Sequence, residues 1–158
     1  HEAGVVALKP ELAARVIGGL KDDALLATLH EPHYNMLAYP WSGYYQQSNQ
    51  WAIETLALLA DPGVVSRGTA RDWLRRQDYR PTTPRIDAMT RLGARVGTAH
   101  IAFDDHPFSR RMAGQIDTVT VDSVFAWMER AGLGGGPLRL RTLPPPSGNP
   151  PRPAMQSA

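Results

Sequence analysis

The sequence predicts an α+β domain in which several helices surround a small, mainly antiparallel sheet, and three observations carry that prediction. Residues 51–59 form a helix with almost no polar face, which belongs in a core. Amphipathic patterns with a period near 3.6 occupy the N-terminal part and residues 66–92. From residue 95 the period falls to about 2, the alternation typical of strands. The expected organisation is a single domain over residues 1–143 and a disordered tail over 144–158, PPPSGNPPRPAMQSA, with too little apolar content to fold.

Composition allows such a domain and removes several functions. A chain of 158 residues, 42% of them hydrophobic, has enough apolar material for one core. Seventeen Lys and Arg against fifteen Asp and Glu leave a formal charge of +2. That balance is too even for a nucleic-acid surface, and the basic residues do not interleave with aromatics. The chain has no cysteine, which removes disulfides, thiolate zinc sites and thiol nucleophiles. No apolar run approaches the ~20 residues that a membrane-crossing helix needs. The chain starts at His1 with neither an initiator Met nor a signal-peptide pattern, so it is expected to lack an N-terminal portion, as a processed form or a fragment would.

Residues 4–8, GVVAL, suit a short strand, and Pro10 suits the first position of a helix with Leu12, Val16 and Leu20 on one face. Gly18 and Gly19 fray its end. Asp22 or Asp23 caps a second short helix through Leu29, and His30-Glu31-Pro32-His33 breaks the pattern. Residues 34–39 then read as extended, with Tyr34, Met36 and Ala38 alternating against Asn35, Leu37 and Tyr39.

The most unusual chemistry lies in residues 34–60. Tyr34, Tyr39, Tyr44 and Tyr45, Trp41 and Trp51, and the amides of Asn35, Gln46, Gln47, Asn49 and Gln50 crowd into the approach to the apolar helix. Such groups are costly to bury without partners. Ser48 or Asn49 is the natural N-cap, Glu54 is the helix's only charge, and Asp61-Pro62-Gly63 supplies the stop. Trp51, placed at the head of a buried helix, is expected to be essential to folding.

Residues 66–77 form an amphipathic helix, with Ala70, Trp73, Leu74 and Gln77 inward and Arg67, Arg71, Arg75 and Arg76 on a solvated face. Residues 79–83 read as a loop. Thr83-Pro84 opens another helix, whose stripe is Ile86, Met89 and Leu92 and whose stop is Gly93. Residues 95–103, RVGTAHIAF, and 116–121, IDTVTV, alternate as strands and are expected to pair antiparallel across the loop 104–115. Asp122 caps a last helix over 123–131, with Val124, Phe125, Met128 and Ala131 inward and Gly132 as terminator. Residues 134–136 form a flexible joint, and residues 138–143 add an edge strand.

No complete catalytic signature is present, and three constellations carry candidate chemistry. Ser48 stands at a helix N-terminus, whose partial positive charge favours an oxyanion, with the amides of Asn49 and Gln50 as donors. An ordinary helix start explains the same residues. A serine nucleophile also needs a base; His30, His33, His100 and His106 all remain open, and His33 and His106 join Ser48 as catalytic candidates. In Phe103-Asp104-Asp105-His106-Pro107, the side chains of Asp104, Asp105 and His106 suit a divalent metal or an Asp-His dyad. Neighbours on an extended chain point to opposite sides, so no metal site is expected there, and a turn ion-paired to Arg110 and Arg111 explains the residues as well. His30, Glu31 and His33 are expected in a solvated loop, because Pro32 prevents the helix that would align them. If the polar cluster lines a cleft, its ligand-binding set is Tyr34, Asn35, Tyr45, Ser48, Asn49 and Gln50.

The runs YNMLAYP, YYQQSNQWAIETLA, RLGARVGTAHIAFDDHP and TVTVDSVFAWM resemble a bacterial family known as domain of unknown function 2145, over roughly residues 28–130. The resemblance implies an exported protein of a Gram-negative bacterium, made with a signal peptide, longer at its N-terminus and located in the periplasm or cell envelope. The segment 34–51 leading into an apolar helix is also similar to the second half of circularly permuted papain-like hydrolases, in which the nucleophile opens a buried helix. Ser48, Asn49, Gln50 and Trp51 occupy that place here, so this likeness implies a degenerate permuted papain-like fold that is either a serine variant or a binding-only form.

Two functions are therefore expected to compete. One is an uncharacterised bacterial envelope protein with a non-catalytic ligand- or partner-binding domain. The other is a serine-dependent or degenerate papain-like hydrolase acting on amide or ester bonds of envelope components. Neither calls for a cofactor, a nucleic acid or a transmembrane segment.

Overall fold

The computed structural model describes residues 2–84 and 101–141. Within them lie six helices and a two-stranded antiparallel sheet, the α+β class that the periodicities predict. The order is β1 (Glu2–Val5), α1 (Pro10–Gly19), α2 (Asp23–Ala27), α3 (Ser48–Ala60), α4 (Arg67–Arg76), α5 (Phe108–Met112), α6 (Val121–Arg130) and β2 (Leu138–Arg141). The helix expected from Thr83-Pro84, residues 95–100 of the next expected strand and the tail at 144–158 fall outside the described residues. No described helix is long and apolar enough to cross a membrane.

The fold is built on α3, which packs against α1, α4 and α6. It buries Ile53, Ala57, Leu58 and Leu59 together with Gln50, Glu54 and Thr55, as a helix apolar nearly all round must. Trp127 of α6 is enclosed completely. It stands edge-on to Trp73 and to Tyr79, with ring centroids 5.9 Å away in each case, and its indole N–H donates to the Gln77 carbonyl at 3.1 Å. Large rings paired edge to face with the polar tip satisfied are strong core material.

Helix ends follow local hydrogen bonding, sometimes a residue or two from the position expected. Asp22 caps α2 by accepting from the Leu25 N–H, and Ser66 caps α4 through a reciprocal box with Thr69. The cap of α6 is Thr120 and not Asp122: its hydroxyl accepts from Ser123 N while Ser123 Oγ accepts from Thr120 N. Asp122 falls in the first turn instead. Gly132, at φ +64°, lets the Leu133 N–H reach back to the Met128 carbonyl at 2.9 Å and ends α6. For α3 the cap is Gln47, so Ser48 is the first helical residue. Gln47 makes no side-chain cap: its Nε2 is anchored on Thr118 and Val119, and its Oε1 faces the Asn49 amide at 3.5 Å.

The sheet differs from expectation in its members. β1 covers residues 2–5, pairs antiparallel with β2 in the register Val5↔Leu138 to Glu2↔Arg141, and is followed by an isolated bridge from Leu8 to Gly134. A side chain at Gly4 would run into the Phe125 ring, so the strand lies close against α6. Ile101, Ala102 and Phe103 are irregular, Val121 already belongs to α6, and Thr118 pairs with Thr82 in a single antiparallel bridge. The strand-like residues 116–119 are buried on both sides, which accounts for their β-branched content without a ladder.

Candidate functional site: a cleft over a buried ionic network

α4 turns two of its arginines inward. Arg67 is buried and Arg71 half-buried, whereas Gln77, expected inside, is exposed. The cause is Glu54, whose carboxylate is wholly shut off from solvent. Its Oε2 accepts from Arg67 Nε and from Gln46 Nε2, both at 2.8 Å, and its Oε1 accepts from Gln50 Nε2 at 3.3 Å and Arg67 Nη2 at 3.4 Å. Arg71 Nη1 stands 3.9 Å away. An unpaired carboxylate in this place would be strongly unfavourable, whereas charge-assisted donors on both oxygens compensate for the lost water. Arg67 also donates to the carbonyls of Gly43 and Tyr45, each at 3.0 Å, and so ties the loop before α3 to α4.

The amides extend this network. Gln46 donates to the Leu29 carbonyl at 2.9 Å, accepts from the Glu31 N–H at 3.1 Å and pairs its backbone with His33 and Asn35. It thereby joins the exit of α2, residues 31–35 and α3. Gln47 donates to Thr118 Oγ1 at 2.6 Å and to the Val119 carbonyl at 2.9 Å. Asn35 bonds both the carbonyl and the N–H of Ala102.

Beside this network lies an open cleft of about 300 Å³, lined chiefly by His30, Glu31, Tyr34, Gln47, Ser48 and Trp51. Glu31 is held below the usual carboxylate range, first by the hydrogen bond from His33 Nδ1 at 2.6 Å and then by the His33 N–H at 3.1 Å. The His33 ring stacks on Tyr44, centroids 6.0 Å apart and nearly parallel, and does not line the cleft. The Ser48 side chain is exposed at the uncapped start of α3. Among the described residues no histidine is hydrogen-bonded to its hydroxyl, although His30 lines the same cleft.

The structure thus distributes the expected binding set. Tyr34 and Ser48 meet in the cleft. Asn35 and Gln50 are buried in the network, Asn49 is half-buried with its amide 3.3 Å from the Val119 carbonyl, and the Tyr45 hydroxyl lies 3.3 Å from Asp104. Trp51 is half-buried and forms a wall of the cleft, so it is less a core residue than its place in the sequence suggests. Glu31 and Gln47 complete the lining, and only the density of polar residues at 30–33 and 46–50 signals them.

Asp105 and His106 pair with each other, as the Asp-His alternative expects, and Asp104 does not join them. Asp104 is exposed, while the side chains of Asp105 and His106 are both fully buried. His106 Nδ1 lies 2.9 Å from Asp105 Oδ1, and its Nε2 lies 2.8 Å from the Asp117 carbonyl oxygen, which can only accept. Asp105 Oδ2 accepts from the Tyr39 N–H at 2.7 Å. Arg110 pairs with Asp117, with Nη2 2.6 Å from Oδ1, and not with either carboxylate of the turn. Among the described residues no group of three or more His, Asp or Glu side chains stands together as metal ligands.

Over residues 1–128 the chain matches the model of a family described as an uncharacterized protein conserved in bacteria, domain of unknown function 2145. The chain belongs to this family. In this DUF2145 chain the match runs from β1 into α6 and takes in the whole Glu54 network and the cleft, while β2 lies beyond it. No curated protein and no solved structure matches the chain.

Proposed function

We propose that this DUF2145 domain is a non-catalytic binding module for a small peptide-like ligand, one that carries a carboxylate and an amide, and that it works in the bacterial envelope. The observation that carries the proposal is the cleft at the uncapped start of α3. First-turn N–H groups that have no side-chain cap among the described residues and the helix dipole favour a carboxylate there, and the Glu31 carboxylate at the other side accepts from an amide N–H. Trp51 and Tyr34 supply flat walls. Glu54 fixes Gln46 beforehand, and Thr118 and Val119 fix Gln47, which lowers the cost of ordering the site. The envelope location rests on the family resemblance alone.

Calorimetric titration of the full chain with N-acetylglycine and N-acetyl-dialanine tests the proposal. Binding should be present, and Ser48→Arg, which fills the cleft from an exposed position, should abolish it. Absence of heat with either compound and no shift in Tm would count against a peptide-binding cleft. One observation favours a second reading: His30 lines the same cleft as Ser48, so a serine-dependent hydrolase would use these two residues. Covalent labelling by a fluorophosphonate, lost in Ser48→Ala, would support that alternative.

A further inference from the structure

Ser48, Trp51, Ala52, Thr55, Leu56 and Leu59 recur every three or four residues and form one stripe along α3, about 16 Å long from end to end. The polar cleft takes the N-terminal end of this stripe. The remainder, with Val16 of α1 and Leu20 at its C-cap, lines a second hollow of about 200 Å³ whose walls are aliphatic apart from Trp51 and Thr55. Trp51 lines both spaces, so polar cleft and apolar groove meet across one ring. The groove is bounded at its far end by a close approach: a side chain at Gly19 of α1 would run into Leu59.

Thr55 is 4% exposed and its hydroxyl is shut off from solvent, so the face it turns to the groove is apolar. An apolar groove that shares Trp51 with a polar cleft at a helix start is the layout of a site for a molecule with a head and a tail.

We infer that the ligand is an amphiphile, an N-acylated amino acid or short peptide whose head occupies the cleft and whose single acyl chain lies in the groove between α1 and α3. The inference rests on the cleft being a peptide-binding site and adds the chemical class of the ligand. The carboxylate meets the first turn of α3, and the amide N–H meets Glu31. Val16, Leu20, Leu56 and Leu59 cover the chain.

Titration of the full chain with N-acetyl-, N-hexanoyl- and N-decanoylglycine, below micelle-forming concentrations, tests this. Affinity should rise about tenfold or more from acetyl to decanoyl, because each buried methylene adds to binding. Ala52→Phe should remove that gain and leave N-acetylglycine binding intact, since Ala52 is exposed on the groove side of α3. Leu20→Glu, an exposed position at the C-cap of α1, is the second variant should the first fail to fold. Ser48→Arg should weaken all three ligands. Equal affinities for the three would overturn the acyl chain and leave the cleft proposal standing. Decanoyl binding unaffected by Ser48→Arg would overturn the joint site. A ligand-free dimer in sedimentation that Ala52→Phe dissociates would assign the groove to a second copy of the chain, and would likewise overturn the inference.

Discussion

Arg67 of α4 donates from Nε to Oε2 of Glu54 in α3 at 2.8 Å, with the carboxylate entirely enclosed. The pair joins two helices and, through the other Arg67 nitrogens, fixes the carbonyls of Gly43 and Tyr45 just before the cleft. A buried ion pair contributes little over a well-packed apolar pair, yet breaking one is expensive because the surviving charge is stranded. Glu54→Gln keeps the shape and strands Arg67. It should lower the unfolding free energy by about 3–5 kcal/mol, read as a lower urea midpoint with an unchanged slope. The double variant Glu54→Leu with Arg67→Met should recover a large part of that loss. Wild-type stability in Glu54→Gln would remove the ion pair from the account of the fold.

Tryptophans at the two ends of the burial range should separate in the same assay. Trp127→Ala empties a fully enclosed site and should lower stability by about 3–5 kcal/mol. Trp51 is half-buried at the cleft wall, so Trp51→Ala should cost about 1 kcal/mol and act mainly on ligand binding.

Thr120, and not the neighbouring Asp122, closes the first turn of α6. Thr120→Ala should therefore lower stability by about 1 kcal/mol. Asp122→Ala removes only a favourable charge near the helix start and an exposed ion pair with Arg139, and should shift Tm less. Thermal melts of the two variants decide between the caps.

Burial pushes the Tyr79 hydroxyl up to about 12 from its ordinary 10.0, with its 2.9 Å bond to Ser123 opposing. The folded state therefore favours the neutral phenol. Its stabilisation is complete below pH 10, where the unfolded phenol is neutral too, and is lost as the pH rises from 10 to about 12. Unfolding free energy should fall across that window, and Tyr79→Phe should flatten the fall. Phenolate absorbance followed through the same range locates the late-titrating tyrosine.

Much of the helical frame is legible in the chain. Pro10, Asp22, Ser66 and Gly132 mark boundaries that the structure keeps, because start and stop chemistry is local. The inward turn of Arg67 and Arg71 is not legible, because their partner Glu54 sits on another helix and an arginine stripe on an amphipathic helix otherwise means solvent. Residues 116–119 mimic a strand because both of their sides are buried, a pattern that alternation cannot distinguish from pairing in a sheet. In the candidate site, the crowd of amides marks the segment beside which the cleft lies, but residue type does not separate Gln47 at the cleft from Gln50 inside the core. That sorting depends on how the loop at 43–47 is threaded between Arg67 and Leu29, which is a matter of tertiary contact.

The start of α3 is proposed as a binding cleft for a peptide-like carboxylate. Backbone amide shifts of the isotope-labelled full chain, followed during titration with N-acetylglycine, test it most directly. A binding cleft there should give saturable shifts concentrated at the Ser48, Asn49 and Gln50 amides and the Trp51 indole, absent in Ser48→Arg. Shifts that are missing, or that fall around Asp104 and His106 with these four resonances unmoved, would contradict it.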